Sequence, residues 1–519
     1  MPISNLQGKT RRPTLIGALT IMLLSACTSI FGPTEAELSA FGEYVYRIDS
    51  LQLNEQLNHI LNEDKLQNNT QTVVHQYYKG KIDTGQPMLW ITRMGVDSDA
   101  DALLTQLRHE IPLAGLDTAA FHLTEIAQDL NVIHTLAFDS LGIDINTLLP
   151  RLDYNLSQAY VCYAIGQRYG FVNPDKLLNQ LDFNEELQSY TRLFDYEVKT
   201  PDYEEAIRHL TSDERMDYLR QSSPNDSVYL KLQDRLSSST DVAERHKLAI
   251  NMERCRWQLK KPQADERRVL VNLPAQQLWA MCPDTIINMR ICFGKKSTKT
   301  PLLASGISRI DVNPDWIITP NIIKNEVSVH AGDSAYFARN RYYIVNLNSG
   351  DTLNPAHVSM SQLQSGTLRV GQRGGAGNSL GRIVFRFPNN FSVYLHDTSN
   401  RGAFDLAQRA LSHGCIRVQK PFDLALFALP DLEEWDADRL RISMDIKPIT
   451  EQGMQYLEEH RDDPRPLRLI RQQTVTPSLP LYIIYYTAYP NPESGAVEYW
   501  SDPYGYDAVI AATHPCMLR

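Results

Sequence analysis

Phe391-Ser392-Val393-Tyr394-Leu395-His396, a spacer of 15 residues from Asp397 to Leu411, then Ser412-His413-Gly414-Cys415-Ile416-Arg417-Val418: the fold and the chemistry are both read outward from here. The first run alternates like a strand and ends on His396, so its imidazole can face a cleft rather than the sheet. Gly414 lets the backbone turn sharply beside Cys415 and approach a substrate closely. A thiol attacks as thiolate, and a nearby imidazole lowers its pKa and accepts its proton. His396 and His413 are the two candidate partners. N–H groups at Gly414 and Cys415 are candidates to hold the oxyanion of a tetrahedral intermediate. A lone cysteine near a chance histidine would be structural; the full Ser-His-Gly-Cys run behind a strand-terminal His points to a nucleophile.

Around this stretch the chain is β-rich. Val269 to Leu273 and Met289 to Phe293 are short strand signals, and Ile383 to Phe387 pairs with Phe391 to Leu395 across Pro388-Asn389-Asn390 as a hairpin. Arg439 to Ile446 reads as a further strand, and Leu481 to Tyr486 as one that joins the same sheet. Residues 321–380 are poorly periodic and end in Gly371, Gly374, Gly375 and Gly377. With no GxxxxGK[ST] and no following helix, they read as a lid over a cleft.

Ahead of residue 265 the pattern is helical. Leu53, Leu57, Ile60 and Leu61 recur at helical spacing, as do Leu103, Leu104, Leu107 and Ile111. Asp153 to Gln180 is helical with a stop at Gly170 and a restart after Pro174. The polar run Ser222 to Thr240 reads as a linker or exposed loop. A length of 519 residues exceeds one ordinary core, and 43% hydrophobic with 22% charged residues excludes a disordered chain. The net charge of −10, without a long basic run, argues against nucleic acid as the partner.

The N-terminus reads as an export signal. Lys9, Arg11 and Arg12 precede a short apolar stretch, Leu15 to Leu24, which ends in Leu24-Ser25-Ala26-Cys27. That run resembles a bacterial lipobox, which makes residues 1–26 a lipoprotein signal peptide and Cys27 the lipidated residue; an ordinary cleaved signal with an accidental cysteine is the alternative. Thr28 in place of Asp favours outer- over inner-membrane placement, so the expected location is periplasmic and lipid-anchored. The seven cysteines form no CxxC pair, so no zinc is expected, and Cys162 reads as a small buried hydrophobe.

The His396…Ser412-His413-Gly414-Cys415 pattern resembles the L,D-transpeptidase (YkuD-type) catalytic domain, whose signature is a His, a spacer of this order and [Ser/Thr]-His-Gly-Cys. Further runs are similar to those of its large, multidomain members: Asn251-Met252-Glu253-Arg254-Cys255-Arg256-Trp257, Asn313-Pro314-Asp315-Trp316, Gly377-Asn378-Ser379-Leu380-Gly381-Arg382 and Asp502-Pro503-Tyr504-Gly505. A small peptidoglycan-binding module, common in those members, is not apparent before Asn251, and Arg417 stands where the strict signature has Asn.

The resemblance implies an α+β multidomain protein. Residues 27–265 would form a helical scaffold, 266–447 the β-rich catalytic domain with its lid-like insertion, and 448–519 an extension packing on the catalytic half. It implies acyl transfer through a Cys415 thioester, with release of D-Ala and formation of 3-3 cross-links between peptidoglycan stem peptides, without metal or organic cofactor. His396 would be the base, His413 would shape the nucleophile loop or serve as a structural histidine, and Gly414 would contribute backbone. Arg417, Ser412 and Tyr394 would bind substrate, with a surface ion pair the alternative for Arg417. Asp397 would orient backbone or sit as a solvated turn residue, and Trp316 would be core or a substrate platform. With water as acceptor the same site would be an L,D-carboxypeptidase or a hydrolase detaching wall proteins; a degenerate site would leave a non-catalytic wall-binding scaffold.

Overall fold

The computed structural model describes residues 35–40, 44–64, 69–84, 88–92, 95–183, 191–260, 266–463 and 465–518. The expected signal segment and Cys27 lie outside them. Two compact units emerge. The first comprises residues up to 172, 199–258 and 511–519; the second comprises 173–198 and 259–510. This corrects the contiguous domains expected from the sequence. Phe194–Asp195 adds a strand parallel to Leu302–Val312, which draws its segment into the second unit. The last residues instead pair Met517 with Leu116 and belong to the first.

The first unit is helical. Ser50–Glu63 starts at Asp49, whose carboxylate accepts from Leu51 N at 2.8 Å, and buries Leu53, Leu57 and Leu61 along one face. Ser98–Leu113 buries Leu103, Leu104, Leu107 and Ile111 in the same way. Its long central helix, Ile145–Tyr169, is buried on most sides, polar residues included, and it stops at Gly170, where φ is +87°.

Two buried polar hubs organise this unit. Asp153 accepts from Trp90 N at 2.7 Å and Tyr78 Oη at 2.6 Å, and faces Lys81 Nζ at 3.9 Å. Burial lowers the Lys81 amine to about 8, with Asp153 opposing the shift. The second hub explains the Asn251–Trp257 run. Glu253 is fully buried and accepts from Phe171 N at 2.8 Å, Val172 N at 3.0 Å and Trp257 Nε1 at 3.2 Å, and it pairs with His514 at 3.2 Å. Burial pushes its carboxyl up, but His514 and Arg256 outweigh it and hold it below the ordinary range. Arg256 reaches on to Ala114 O at 2.5 Å and Gln167 Oε1 at 2.7 Å. That motif therefore fastens helices and the chain end rather than touching substrate.

The linker expected at 222–240 is instead a helix, Ser227–Ser238. It buries Tyr229, Leu232 and Leu236, each worth about 1.5–3 kcal/mol, against a helix-propensity cost of tenths per Ser or Asp.

The second unit is built on a sheet that closes on itself. Eight strands follow one another: Leu302–Val312, Ile383–Arg386, Leu395–His396, Ile416–Val418, Thr285–Gly294, Gln277–Cys282, Arg268–Asn272 and Gln472–Ile484, which returns to Leu302–Val312. The run expected to join this sheet from Leu481 does so, parallel to Arg268–Asn272. The hairpin's second strand is only Leu395–His396. Asn389 holds the chain before it in a loop, accepting from Phe391 N and donating to Phe387 O and Val393 O.

Where a strand was expected at Arg439–Ile446, the chain forms the helix Glu434–Ser443. Leu440, Ile442 and Met444 alternate as in a strand, but Leu440 and Met444 are also one helical turn apart, and both are buried. Residues 316–372 form a subdomain with its own four-stranded sheet, ordered Trp316–Ile317, Leu368–Gln372, Tyr342–Asn346 and Thr352–Leu353. Its core includes Ile318, Ile323, Val327, Phe337, Ile344 and Val370. Among the described residues no helix is long and apolar enough to cross a membrane.

Candidate active site

His396 ends one strand of the closed sheet, and Cys415 immediately precedes the strand Ile416–Val418 that pairs with it. Leu395 pairs with Ile416 and His396 with Arg417 in parallel register, and Ile416 N donates to Tyr394 O at 3.1 Å. His396 is buried, and its Nδ1 faces Asp397 O at 2.5 Å. A carbonyl only accepts, so Nδ1 carries the proton in the neutral ring and Nε2 is the basic nitrogen. Burial, then the Arg417 charge, lower the imidazole to about 3, while the carbonyls of Asp397 and Leu380 act to stabilise the imidazolium. For Cys415, burial raises the thiol to about 11, against hydrogen bonds from the Tyr394 backbone and phenol and the charges of Arg386 and Arg417. At neutral pH the resting pair is therefore thiol and neutral imidazole.

The nucleophile turn is fixed by hydrogen bonds on every side. Ser412 Oγ donates to Cys415 O at 2.5 Å and accepts from Gly414 N at 3.2 Å, while Ser412 O accepts from Lys295 N and Thr298 Oγ1, both at 3.0 Å. Gly414 has φ of +116°, a conformation side-chain-bearing residues avoid. Its carbonyl accepts from Thr300 Oγ1 at 2.7 Å, and Thr300 Oγ1 accepts in turn from Gly294 N at 2.9 Å. Tyr504, from the Asp502–Gly505 run, completes the support. Its hydroxyl accepts from Thr300 N at 3.0 Å and donates to Gly294 O at 2.8 Å.

These bonds place the residues expected from the sequence. Ser412 spends its hydroxyl inside the turn, so this placement gives a substrate contact no support. The Gly414 N–H is likewise taken, so of the two expected donors only the Cys415 N–H is without a hydrogen bond among the described residues. Tyr394 is half-buried, with its ring 5.7 Å from the His396 ring; burial, then the Cys415 sulfur, push its phenol up. Asp397 is buried, accepting from Arg382 N at 2.8 Å and pairing with Arg401 at 2.8 Å, so it orients backbone and is no solvated turn residue. Gly381 is required beside it, because a Cβ there would lie 2.3 Å from Asp397 Cγ. Arg417 has a buried Nε without a hydrogen bond, and no carboxylate pairs with it among the described residues.

Two residues of the inserted subdomain reach this site. Trp316 is half-buried against the subdomain's core, and its indole acts on the Tyr394 phenol, opposing the upward push of burial. Glu326 Oε1 accepts from His413 Nε2 at 2.6 Å, which puts His413 on the exposed side of the turn facing the insertion. Glu326, Thr300 and Arg386 were not singled out from the sequence. Arg386 stacks on Tyr394 at 4.7 Å and is held by Asp311 at 2.9 Å. No residue pattern announces Thr300 or Glu326. Among the described residues no group of His, Cys, Asp and Glu is placed to hold a metal ion.

Comparison with known proteins agrees with this geometry. Residues 266–433 match the model of the L,D-transpeptidase catalytic domain, and residues 72–236 match that of a scaffold domain. A curated Haemophilus influenzae protein named "Putative L,D-transpeptidase" is 26% identical over 362 residues, 66% of this chain and 68% of that one. The segment that carries His396 and Cys415, residues 266–433, is thus an L,D-transpeptidase catalytic domain by its match, in a chain that also matches a scaffold domain.

Proposed function

We propose that the protein is a peptidoglycan L,D-transpeptidase that forms 3-3 cross-links through a Cys415 thioester. The observation that carries this reading is the pairing of the strand that ends at His396 with the strand that Cys415 leads into, together with a buried His396 whose Nδ1 is committed to Asp397 O, which leaves Nε2 as base. As Cys415 attacks the carbonyl of the third stem residue, its proton passes to His396, and the two backbone carbonyls stabilise the resulting imidazolium. The Cys415 N–H receives the oxyanion, and the imidazolium protonates the departing D-Ala amine. The side-chain amine of a diamino acid on a second stem then attacks the thioester, with His396 again taking the proton. The unpaired Arg417 suits a substrate carboxylate. Cys27 would carry the lipid that holds the protein in the periplasm, on the outer membrane.

Incubation of the purified protein with disaccharide-tetrapeptide, read by mass spectrometry, tests the acceptor. Cross-linked dimer with loss of D-Ala is expected. Tripeptide as the sole product would replace the transpeptidase with an L,D-carboxypeptidase, and absence of turnover would leave a wall-binding scaffold.

A further inference from the structure

In the helical unit two thiols face one another: Cys162 Sγ lies 3.8 Å from Cys516 Sγ. Both are held by the fold. Cys162 is inside the central helix Ile145–Tyr169. Cys516 sits in a tail pinned on both sides: Asp117 N donates to Cys516 O at 3.0 Å, Leu518 N donates to Gly115 O at 3.2 Å, and Cys516 N donates to His514 Nδ1 at 3.1 Å. His514 is itself anchored on the buried Glu253. The two sulfurs therefore meet through the backbone pairing of the chain end, separated by 354 positions in sequence.

The pair also has an approach route. A cavity of about 440 Å³ is lined by both cysteines together with Asp64, Gln71, His122 and Gln158. Cys516 is buried and Cys162 half-buried. The sulfurs are already in van der Waals contact and would close to about 2.05 Å on bonding.

We propose that Cys162 and Cys516 are the site of a disulfide that fastens the C-terminal tail to the central scaffold helix. The oxidant is a disulfide-bearing molecule or protein admitted through the cavity. Cys162 attacks one of its sulfurs as thiolate, giving a mixed disulfide and releasing the first oxidant thiol. Cys516 then displaces the second. Two protein thiols and one oxidant disulfide become one protein disulfide and two oxidant thiols, and the two electrons and two protons end on the oxidant. Cys162 is half-buried and Cys516 buried, so the more accessible Cys162 makes the first attack. The closed loop contains every residue of the catalytic unit, so the bond restrains the unfolded chain over most of its length.

The test is made on the full chain, reduced, desalted, incubated with oxidised glutathione, then alkylated with N-ethylmaleimide in denaturant and mapped by peptide mass. The expected result is a linked pair of peptides carrying Cys162 and Cys516, two hydrogens lighter than their sum and separated by reductant. In Cys516→Ala, Cys162 should become alkylated. Alkylation of both thiols in the oxidised wild type, or linkage of either to another cysteine, would overturn the proposal.

Discussion

The nucleophile turn and the inserted subdomain contribute to the same site in different ways. The turn is held within the closed sheet and its supports: Ser412 by Lys295 and Thr298, Gly414 by Thr300, and Thr300 by Tyr504. The insertion has a core of its own and touches the site through two side chains, Trp316 on Tyr394 and Glu326 on His413. The difference separates chemistry from tuning. Changes in the turn and its sheet should remove the reaction, and changes in the insertion should only scale it.

The largest effect sharpens the first half of that contrast. His396→Gln should lower kcat/KM for tetrapeptide by about 10²–10⁴, the usual range for a general base. A loss under tenfold would move the base elsewhere.

The second prediction concerns pH. With the thiol at about 11 and the imidazole at about 3, neither is ionised across the neutral range. Raising the pH below 11 therefore increases the thiolate, and the iodoacetamide alkylation rate of Cys415 should climb about tenfold per pH unit from 7 to 10. A flat profile from pH 7 upward would mean a preformed thiolate–imidazolium pair.

Third, Thr300→Val removes the hydroxyl that joins Gly294 to Gly414. Each lost hydrogen bond costs about 1 kcal/mol, and loss of turn geometry should lower kcat about tenfold or more while the fold persists by circular dichroism. Unchanged kcat would show that the turn holds its shape without this prop.

On the insertion side, effects shrink. Trp316→Phe should slow Cys415 alkylation only a few-fold, by loosening Tyr394. Glu326→Gln exchanges a charge-assisted contact at a half-exposed histidine for a neutral one, and its effect on kcat/KM should stay within about fivefold. A hundredfold loss in either variant would erase the distinction and make the insertion part of the chemistry.

What the sequence revealed follows the same division. Cys415, His396 and the helical and β-rich halves were legible because a short motif and local periodicity carry them. Thr300 and Tyr504 were not, since their support joins residues 204 positions apart by single hydrogen bonds. Nor was Glu326, one carboxylate in an aperiodic stretch. The helix Ser227–Ser238 hid behind Ser and Asp, which favour turns when burial is left out. Leu440, Ile442 and Met444 fit a strand and a helix alike until packing chose. The Asn251–Trp257 run was recognised by resemblance, yet its work as a buried hub became visible only once Glu253 met His514 from the far end of the chain.

The central claim is that Cys415 takes the acyl group and His396 takes its proton. Its most direct test is intact mass and peptide mapping of the purified chain, acid-quenched during turnover of disaccharide-tetrapeptide and, in parallel, after exposure to a carbapenem. The account predicts a single acyl adduct on the Cys415 peptide in the wild type, slower to appear in His396→Gln and absent in Cys415→Ala together with all turnover. An adduct on another residue, or product formation by Cys415→Ala, would contradict it.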